Sequence, residues 1–237
     1  MAIKLNSDFK YSHDAIVIDG PQGTDIKTYR KKKLGFRDQA KNDAFFKRVK
    51  KYKATGKLGN SIDDRLEYIT LPDPVEFYPT KIQITKGKLA DYNTNSEDGG
   101  TLVSQAMKDA IETIDVDMHQ FIPVEVLDKD GKEYGGQYYY WNIGGEVLDA
   151  VNYEQGGVDT IGQDPIDGGH AWKIKRGQVW GDRTKNDLAV SKDIIKGRGV
   201  WRDLRMMTSR FVSDALVDVW KEAGLTGWDA GSDWAEV

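Results

Sequence analysis

The strongest constraint on the fold comes from a stretch of alternating apolar and polar residues near the middle of the chain. Segment 121–127 places apolar side chains at every second position: Ile122, Val124 and Val126. A period of two is typical of a strand with one buried face. Segment 128–131, which reads Asp-Lys-Asp-Gly, has the composition of a turn, and 137–143 is rich in aromatic residues. The sequence therefore predicts an antiparallel pair of strands, 120–127 with 137–143.

Two other segments have the spacing of amphipathic helices, and each follows a serine. After Ser104 the apolar positions are Met107, Ala110, Ile111 and Ile114. After Ser213 they are Leu216, Val219, Trp220 and Ala223. Such i, i+3, i+4, i+7 stripes predict helices over 104–114 and 213–223. A serine hydroxyl can accept a hydrogen bond from a free amide of the first turn, so we expect Ser104 and Ser213 to be helix caps and not nucleophiles.

The two helical segments also resemble each other. Segments 103–111 and 212–220 are identical at four of nine positions. An internal duplication would explain the similarity, and so would the ordinary composition of capped amphipathic helices. Because strand and hairpin patterns outnumber any β-α-β rhythm, the predicted fold class is α+β, with antiparallel strands, hairpins and packed amphipathic helices.

Charge is strongly segregated along the chain, although the net charge is only −4. Segment 27–58 carries 13 basic and 2 acidic residues, whereas 91–170 carries 3 basic and 17 acidic residues. Apolar side chains at helical spacing within 37–53 predict a basic amphipathic helix. Prolines cluster at 72–79. We therefore expect a basic N-terminal region, residues 1–70, followed by an α+β domain, residues 71–237.

Several classes of protein are excluded by what the sequence lacks. The chain has no cysteine, which excludes disulfides, thiol catalysis and cysteine-ligated metals. The common phosphate-loop, dinucleotide, hydrolase and zinc-protease motifs are absent. No segment approaches the roughly 20 apolar residues of a membrane span, and the N-terminal apolar run is too short for a signal peptide. We expect a cytoplasmic protein that needs no cofactor or metal and does not contact a membrane.

The remaining catalytic candidates are weak. Segment 128–131 has its glycine in the wrong place for a calcium loop, so a turn is the better interpretation. Asp115 and Asp117 could form a carboxylate pair, but they follow a predicted helix, where a solvated loop is expected. Loop 164–170 places Asp164 and Asp167 before His170, yet no nucleophile lies nearby in the sequence.

The basic segment 27–58 allows three interpretations. Its aromatic residues keep helical spacing, which favours a helix with a solvated basic face. The cations could instead contact a protein partner or the acidic part of the same chain. A nucleic-acid surface is the third interpretation, and we consider nucleic acid an unlikely partner because the aromatic residues are needed in a core.

Three stretches together resemble the eleventh immunity-protein family of bacterial polymorphic toxin systems. They are EFYPTKI at 76–82, TLVSQAMKDAI at 101–111 followed by HQFIPVEV at 119–126, and FVSDAL at 211–216 with AGLTGW at 223–228. The resemblance covers about residues 70–231. It implies a non-enzymatic antitoxin that binds and blocks a cognate toxin domain. The resemblance assigns no binding residues in this chain and does not identify the toxin.

The partner surface is predicted from charge. Many toxins that act on nucleic acids are basic, and an acidic surface would speed their association. The first candidates are the acidic residues of predicted loops: Asp115, Asp117, Asp128, Asp130, Glu133, Asp164 and Asp167. The basic segment 27–58 and an aromatic patch around 138–141 are the alternatives. An accessory protein that binds nucleic acid and an uncatalogued enzyme are the rival functions, and the oligomeric state stays open.

Overall fold

The computed structural model describes two six-stranded sheets, a separate two-stranded hairpin and three helices. The residues that it describes are 2–7, 13–19, 78–94, 100–144, 147–148, 150, 158–163, 170–174, 189–203 and 210–236. Antiparallel pairs predominate, so the predicted α+β class is confirmed.

Sheet A has the strand order β2-β3-β6-β7-β5-β4. Its strands are β2 (His13–Asp19), β3 (Lys81–Gly87), β4 (Tyr92–Thr94), β5 (Thr101–Ser104), β6 (Gln120–Leu127) and β7 (Tyr138–Asn142). Only the pair β3 and β6 is parallel. The predicted pairing of 120–127 with 137–143 is confirmed, because Phe121 lies opposite Trp141 and Val124 opposite Tyr138.

Sheet B has the order β11-β14-β1-β13-β12-β8. Its strands are β1 (Ala2–Ser7), β8 (Val147–Leu148), β11 (Ala189–Val190), β12 (Val200–Asp203), β13 (Arg210–Ser213) and β14 (Trp228–Glu236). Strands β9 (Val158–Gln163) and β10 (His170–Ile174) form the separate hairpin. The helices are α1 (Gln105–Glu112), α2 (Lys192–Ile195) and α3 (Asp214–Glu222).

Helices α1 and α3 both begin at a serine that ends a strand. The Ser104 hydroxyl accepts a hydrogen bond from the Met107 amide at 3.1 Å, and the Ser213 hydroxyl accepts one from the Leu216 amide at 3.3 Å. Both serines have extended backbone, as N-cap residues do. Each serine therefore marks the point where the chain changes from a strand to a helix.

The two helices lie in one core that both sheets share. Helix α1 buries Met107, Ala110 and Ile111, and α3 buries Leu216, Val217 and Trp220. Strand side chains from sheet A and sheet B complete this central core: Tyr92, Val103 and Trp141 from the first, Ile3, Leu5, Val200 and Val212 from the second. Full burial of one such side chain contributes about 1.5 to 3 kcal/mol, so this core joins the sheets firmly.

The opposite face of sheet A forms a second core. Its β6 members are the alternating residues Ile122, Val124 and Val126. Strand β7 adds Tyr138 and Tyr140 to the same core. Sheet A is therefore apolar on both faces near β7, because Tyr139 and Trp141 pack toward the central core.

The first strands of the expected N-terminal region, residues 1–70, lie in these same two sheets. Strand β1 lies between β13 and β14 in sheet B, and β2 pairs with β3 in sheet A. Strands from residues 1–19 are thus integral to the sheets of the expected second domain. The rest of the 1–70 region, including the expected basic helix, lies outside the described residues.

Candidate partner-binding surface

Asp115 was predicted to face a partner, and the structure corrects this. The residue is completely buried. Its carboxylate accepts hydrogen bonds from the Gly199 amide at 2.8 Å and the Val200 amide at 2.7 Å, and it lies 3.1 Å from Nε2 of the buried His119. A buried carboxylate needs such partners. Asp115 therefore joins the α1–β6 loop to strand β12 and does not reach the surface.

Asp117, two residues further on, is exposed. Its φ of +54° is unusual for a residue other than glycine, although aspartate tolerates the left-handed region better than most. Its neighbour Val116 is 65% exposed, the largest exposure among the described large hydrophobic residues that face solvent. This loop thus presents a carboxylate beside an uncovered aliphatic side chain.

The other described candidates lie in the β6–β7 hairpin. Asp130 and Glu133 are exposed, and Asp128 is half-buried. The Asp128 carboxylate accepts hydrogen bonds from the amides of Asp130 and Lys132, both at 2.9 Å. Asp128 therefore stabilises the turn, whereas Asp130 and Glu133 expose their side chains to solvent.

The hairpin is only weakly acidic as a whole. Its three acidic residues alternate with Lys129 and Lys132, both of which are exposed. Asp117 and the hairpin also lie at opposite ends of β6, which has eight residues. At about 3.3 Å per residue, the two ends are roughly 25 Å apart. The candidates therefore belong to two separate surfaces.

Asp164 and Asp167 lie outside the described residues, as does the basic segment 27–58. The aromatic alternative at 138–141 is mostly internal, because Tyr138, Tyr140 and Trp141 are buried. Burial raises the pKa of Tyr138 to about 12, so its phenol stays neutral at physiological pH. Among these four aromatic residues only Tyr139 is half-buried.

Tyr139 belongs to a cluster at the edge of α1 that sequence reasoning missed. The Lys108 ammonium lies 5.4 Å from the ring centre of Phe121 and 5.8 Å from that of Tyr139. Lys108 also donates a hydrogen bond to Glu112, which raises the pKa of the Lys108 ammonium above its ordinary value. The i, i+4 spacing of Lys108 and Glu112 could have indicated this pair.

The outward surfaces of α1 and α3 are acidic, which the expectation of acidic loops did not include. Asp109 on α1 is exposed, as are Asp218 and Glu222 on α3. Lys108 is paired with Glu112, and Lys221 lies 3.7 Å from Asp218. The α1 surface continues into Val116 and Asp117. We call Asp109, Glu112, Val116 and Asp117 the α1-end surface.

Within the described residues, no three or more histidine or acidic side chains lie close enough together to hold a metal ion. In the same part of the chain, no helix has the length and apolar character needed to cross a membrane.

A sequence model of the Imm11 immunity protein family matches residues 19–231. This match spans most of the chain and includes both serine-capped helices. The chain belongs to the Imm11 immunity protein family. A comparison with curated proteins gives no match.

The Imm11 match begins at residue 19, whereas the resemblance in sequence motifs covers about residues 70–231. It includes the basic segment 27–58, so this segment is part of the family domain. It leaves out strand β1, although β1 lies in the middle of sheet B. Family membership makes the chain an immunity protein, and the match by itself assigns no partner-binding residue.

Proposed function

We propose that this Imm11 protein protects a cell by binding a cognate toxin domain in a stoichiometric complex, without any turnover of its own. Membership of the Imm11 immunity family carries the proposal. The described residues give it a suitable basis, because two sheets and two helices share one core and so present a rigid surface. A rigid surface loses little conformational entropy when a partner binds.

The proposed contact is the α1-end surface. It combines the exposed carboxylates of Asp109 and Asp117 with the exposed aliphatic side chain of Val116. The Asp109 carboxylate also accepts a hydrogen bond from the Gln105 side chain at 2.6 Å. Protein interfaces commonly have an apolar centre and a polar rim. The hairpin residues Asp128, Asp130 and Glu133 form a weaker candidate, since two lysines lie among them. Asp164 and Asp167 stay candidates from the sequence alone.

Complex formation can be tested directly with the cognate toxin domain. We expect one sharp species in size-exclusion chromatography with a fixed ratio of the two chains. The complex should persist after nuclease treatment, because the proposal involves no nucleic-acid bridge. Two separately eluting proteins at micromolar concentrations would contradict the proposal.

The contact surface can be tested with matched charge variants. Asp109→Lys with Asp117→Asn removes three negative charge units from the α1-end surface, and asparagine tolerates the backbone of residue 117. Asp130→Lys with Glu133→Gln makes the same change in the hairpin. At low salt we expect the first variant to associate roughly tenfold more slowly and the second less than about threefold more slowly.

These differences should shrink at high salt, since the Debye length falls from about 10 Å at 0.1 M to about 3 Å at 1 M. Unchanged thermal stability of both variants would be the control for folding. If the first variant and the wild type associated with the toxin at equal rates at low salt, the α1-end surface would not be the contact. The proposal of complex formation would still stand.

A further inference from the structure

The two sheets contain the same arrangement of strands. Sheet A includes the order β3-β6-β7-β5-β4, and sheet B includes β11-β14-β1-β13-β12. In each set the first pair is parallel, and the following three pairs are antiparallel. The serine-capped helix follows β5 in one set and β13 in the other. Strand β1 thus has the position in sheet B that β7 has in sheet A.

The registers of the central strands agree over part of their length. Ser104 lies opposite Tyr138 in sheet A, and Ser213 lies opposite Ala2 in sheet B. This makes Tyr138 equivalent to Ala2, and therefore Trp141 equivalent to Leu5. A second ladder gives the same result from Leu5 onward, because Phe121 lies opposite Trp141 and Ala230 lies opposite Leu5. A bulge between Lys4 and Leu5 shifts the rest of this ladder by one residue. Residues 121 and 230 are related by the same offset as the two serines.

The equivalent positions also have equivalent environments. Val103 and Val212 are both fully buried in the central core, as are Met107 and Leu216. Trp141 and Leu5 are buried in the same core. The Ser104 amide donates to the Asp91 carbonyl at 2.9 Å, and the Ser213 amide donates to the Gly199 carbonyl at the same distance. Similar helix composition alone would not produce the same strand order and the same strand directions in four strand pairs.

We infer that the chain is a tandem internal duplication, circularly permuted with the break inside the second copy, so that the N-terminal strand β1 is the last strand of that copy. In the first copy, segment 128–137 links β6 directly to β7. In the second copy β14 and β1 are neighbours in the sheet, with Trp234 opposite Ala2, but they come from opposite ends of the chain. The inference explains why a strand outside the family match lies at the centre of sheet B.

Strand β1 has hydrogen-bonded neighbours along both of its edges. It pairs with β13 on one side and β14 on the other, and it buries Ile3 and Leu5. If this position belongs to the repeated unit, a copy of the β1 sequence that is attached after β14 should also be able to occupy it. The link would be a hairpin like the one that joins β6 to β7.

The experiment weakens the N-terminal strand and supplies a second one. Leu5→Ala in the full chain should lower Tm by roughly 5 to 15 °C, from the usual cost of a large-to-small change in a core. A copy of residues 128–137 followed by a copy of residues 2–7 is then added after Val237 of this variant. We expect the addition to restore at least half of the lost Tm.

The matched control carries the same addition with aspartate in place of the copied Ile3 and Leu5, and it should restore nothing. A stronger pair uses Ile3→Asp with Leu5→Asp in the N-terminal strand. If that protein fails to fold, the wild-type addition should recover soluble folded protein and the control addition should not. Equal behaviour of the two additions in both backgrounds would overturn the inference.

Discussion

Two aspartates each join the part of the chain that contains α1 to the part that contains α3, and they do so in different surroundings. Asp115, after α1, binds the amides at the start of β12, with His119 as a third partner. Asp91, before β4, accepts hydrogen bonds from the Ser104 hydroxyl and from the amide and hydroxyl of Thr226. We call these the Asp115 junction and the Asp91 junction.

The difference between the junctions is access to water. Asp115 and His119 are both buried, whereas Asp91 is half-buried. When a buried partner is removed, the groups left behind lose their hydrogen bonds and gain no water. At the Asp91 junction water can replace part of what is lost. Removal of the aspartate should therefore lower the free energy of unfolding more at the Asp115 junction than at the Asp91 junction.

The largest expected effect is that of Asp115→Ala. It leaves the amides of Gly199 and Val200 without their acceptor in a dry site, so the free energy of unfolding should fall by about 3 to 5 kcal/mol. Urea denaturation measures this. Asp130→Ala, in an exposed turn, is the control and should change stability by no more than about 0.5 kcal/mol. A similar small change for both variants would mean that the Asp115 junction does not stabilise the fold.

Asp91→Ala should have a smaller effect, about 1 to 3 kcal/mol, because solvent can reach the freed hydroxyls and amide. The same denaturation experiment applies, and Thr226→Ala should not add its full cost in the Asp91→Ala background, since the two residues share their hydrogen bonds. If Asp91→Ala cost more than Asp115→Ala, burial would not be what separates the two junctions.

The serine caps extend the comparison to the helices. Ser104→Ala and Ser213→Ala should each cost about 0.5 to 2 kcal/mol. Ser104→Ala should cost the more of the two, because the Ser104 hydroxyl also donates to Asp91 at 2.7 Å. Chemical denaturation of both variants decides this. If Ser213→Ala cost more than Ser104→Ala, the hydrogen bond from Ser104 to Asp91 would not add to the stability of the α1 cap.

The smallest effect is expected from the helix-surface ion pairs. A double-mutant cycle should give a coupling of about 0.3 to 0.5 kcal/mol for Lys108 with Glu112. Because its partner raises the pKa of Lys108, this contribution is fully present below the ordinary lysine value of 10.5 and is lost as the pH rises above it. The more exposed and more distant pair Lys221 with Asp218 should couple less. Equal coupling of the two pairs would contradict this ranking.

Local patterns were enough to predict the parts of the fold that depend on neighbouring residues. The alternation at Ile122, Val124 and Val126 indicated β6, and the composition of 128–131 indicated its turn. The serines before two apolar stripes indicated where α1 and α3 begin. In each case the decisive contacts join residues a few positions apart, or strands joined by a short hairpin.

The features that the sequence did not reveal depend on distant partners. Asp115 and Asp117 look alike in the sequence, yet only Asp115 meets amides that are 84 and 85 residues further along the chain. Strand β1 was assigned to a separate region because its neighbours β13 and β14 lie at the other end of the chain.

The proposed immunity function is tested most directly by titrating the cognate toxin domain with this protein while the activity of the toxin is measured. A blocking partner that binds tightly should reduce the activity in proportion to its amount and abolish it at one equivalent. Asp130→Lys with Glu133→Gln should give the same end point as the wild type. Full protection at a small fraction of one equivalent would indicate turnover, and undiminished toxin activity at a large excess would indicate no blocking; either result would contradict the account.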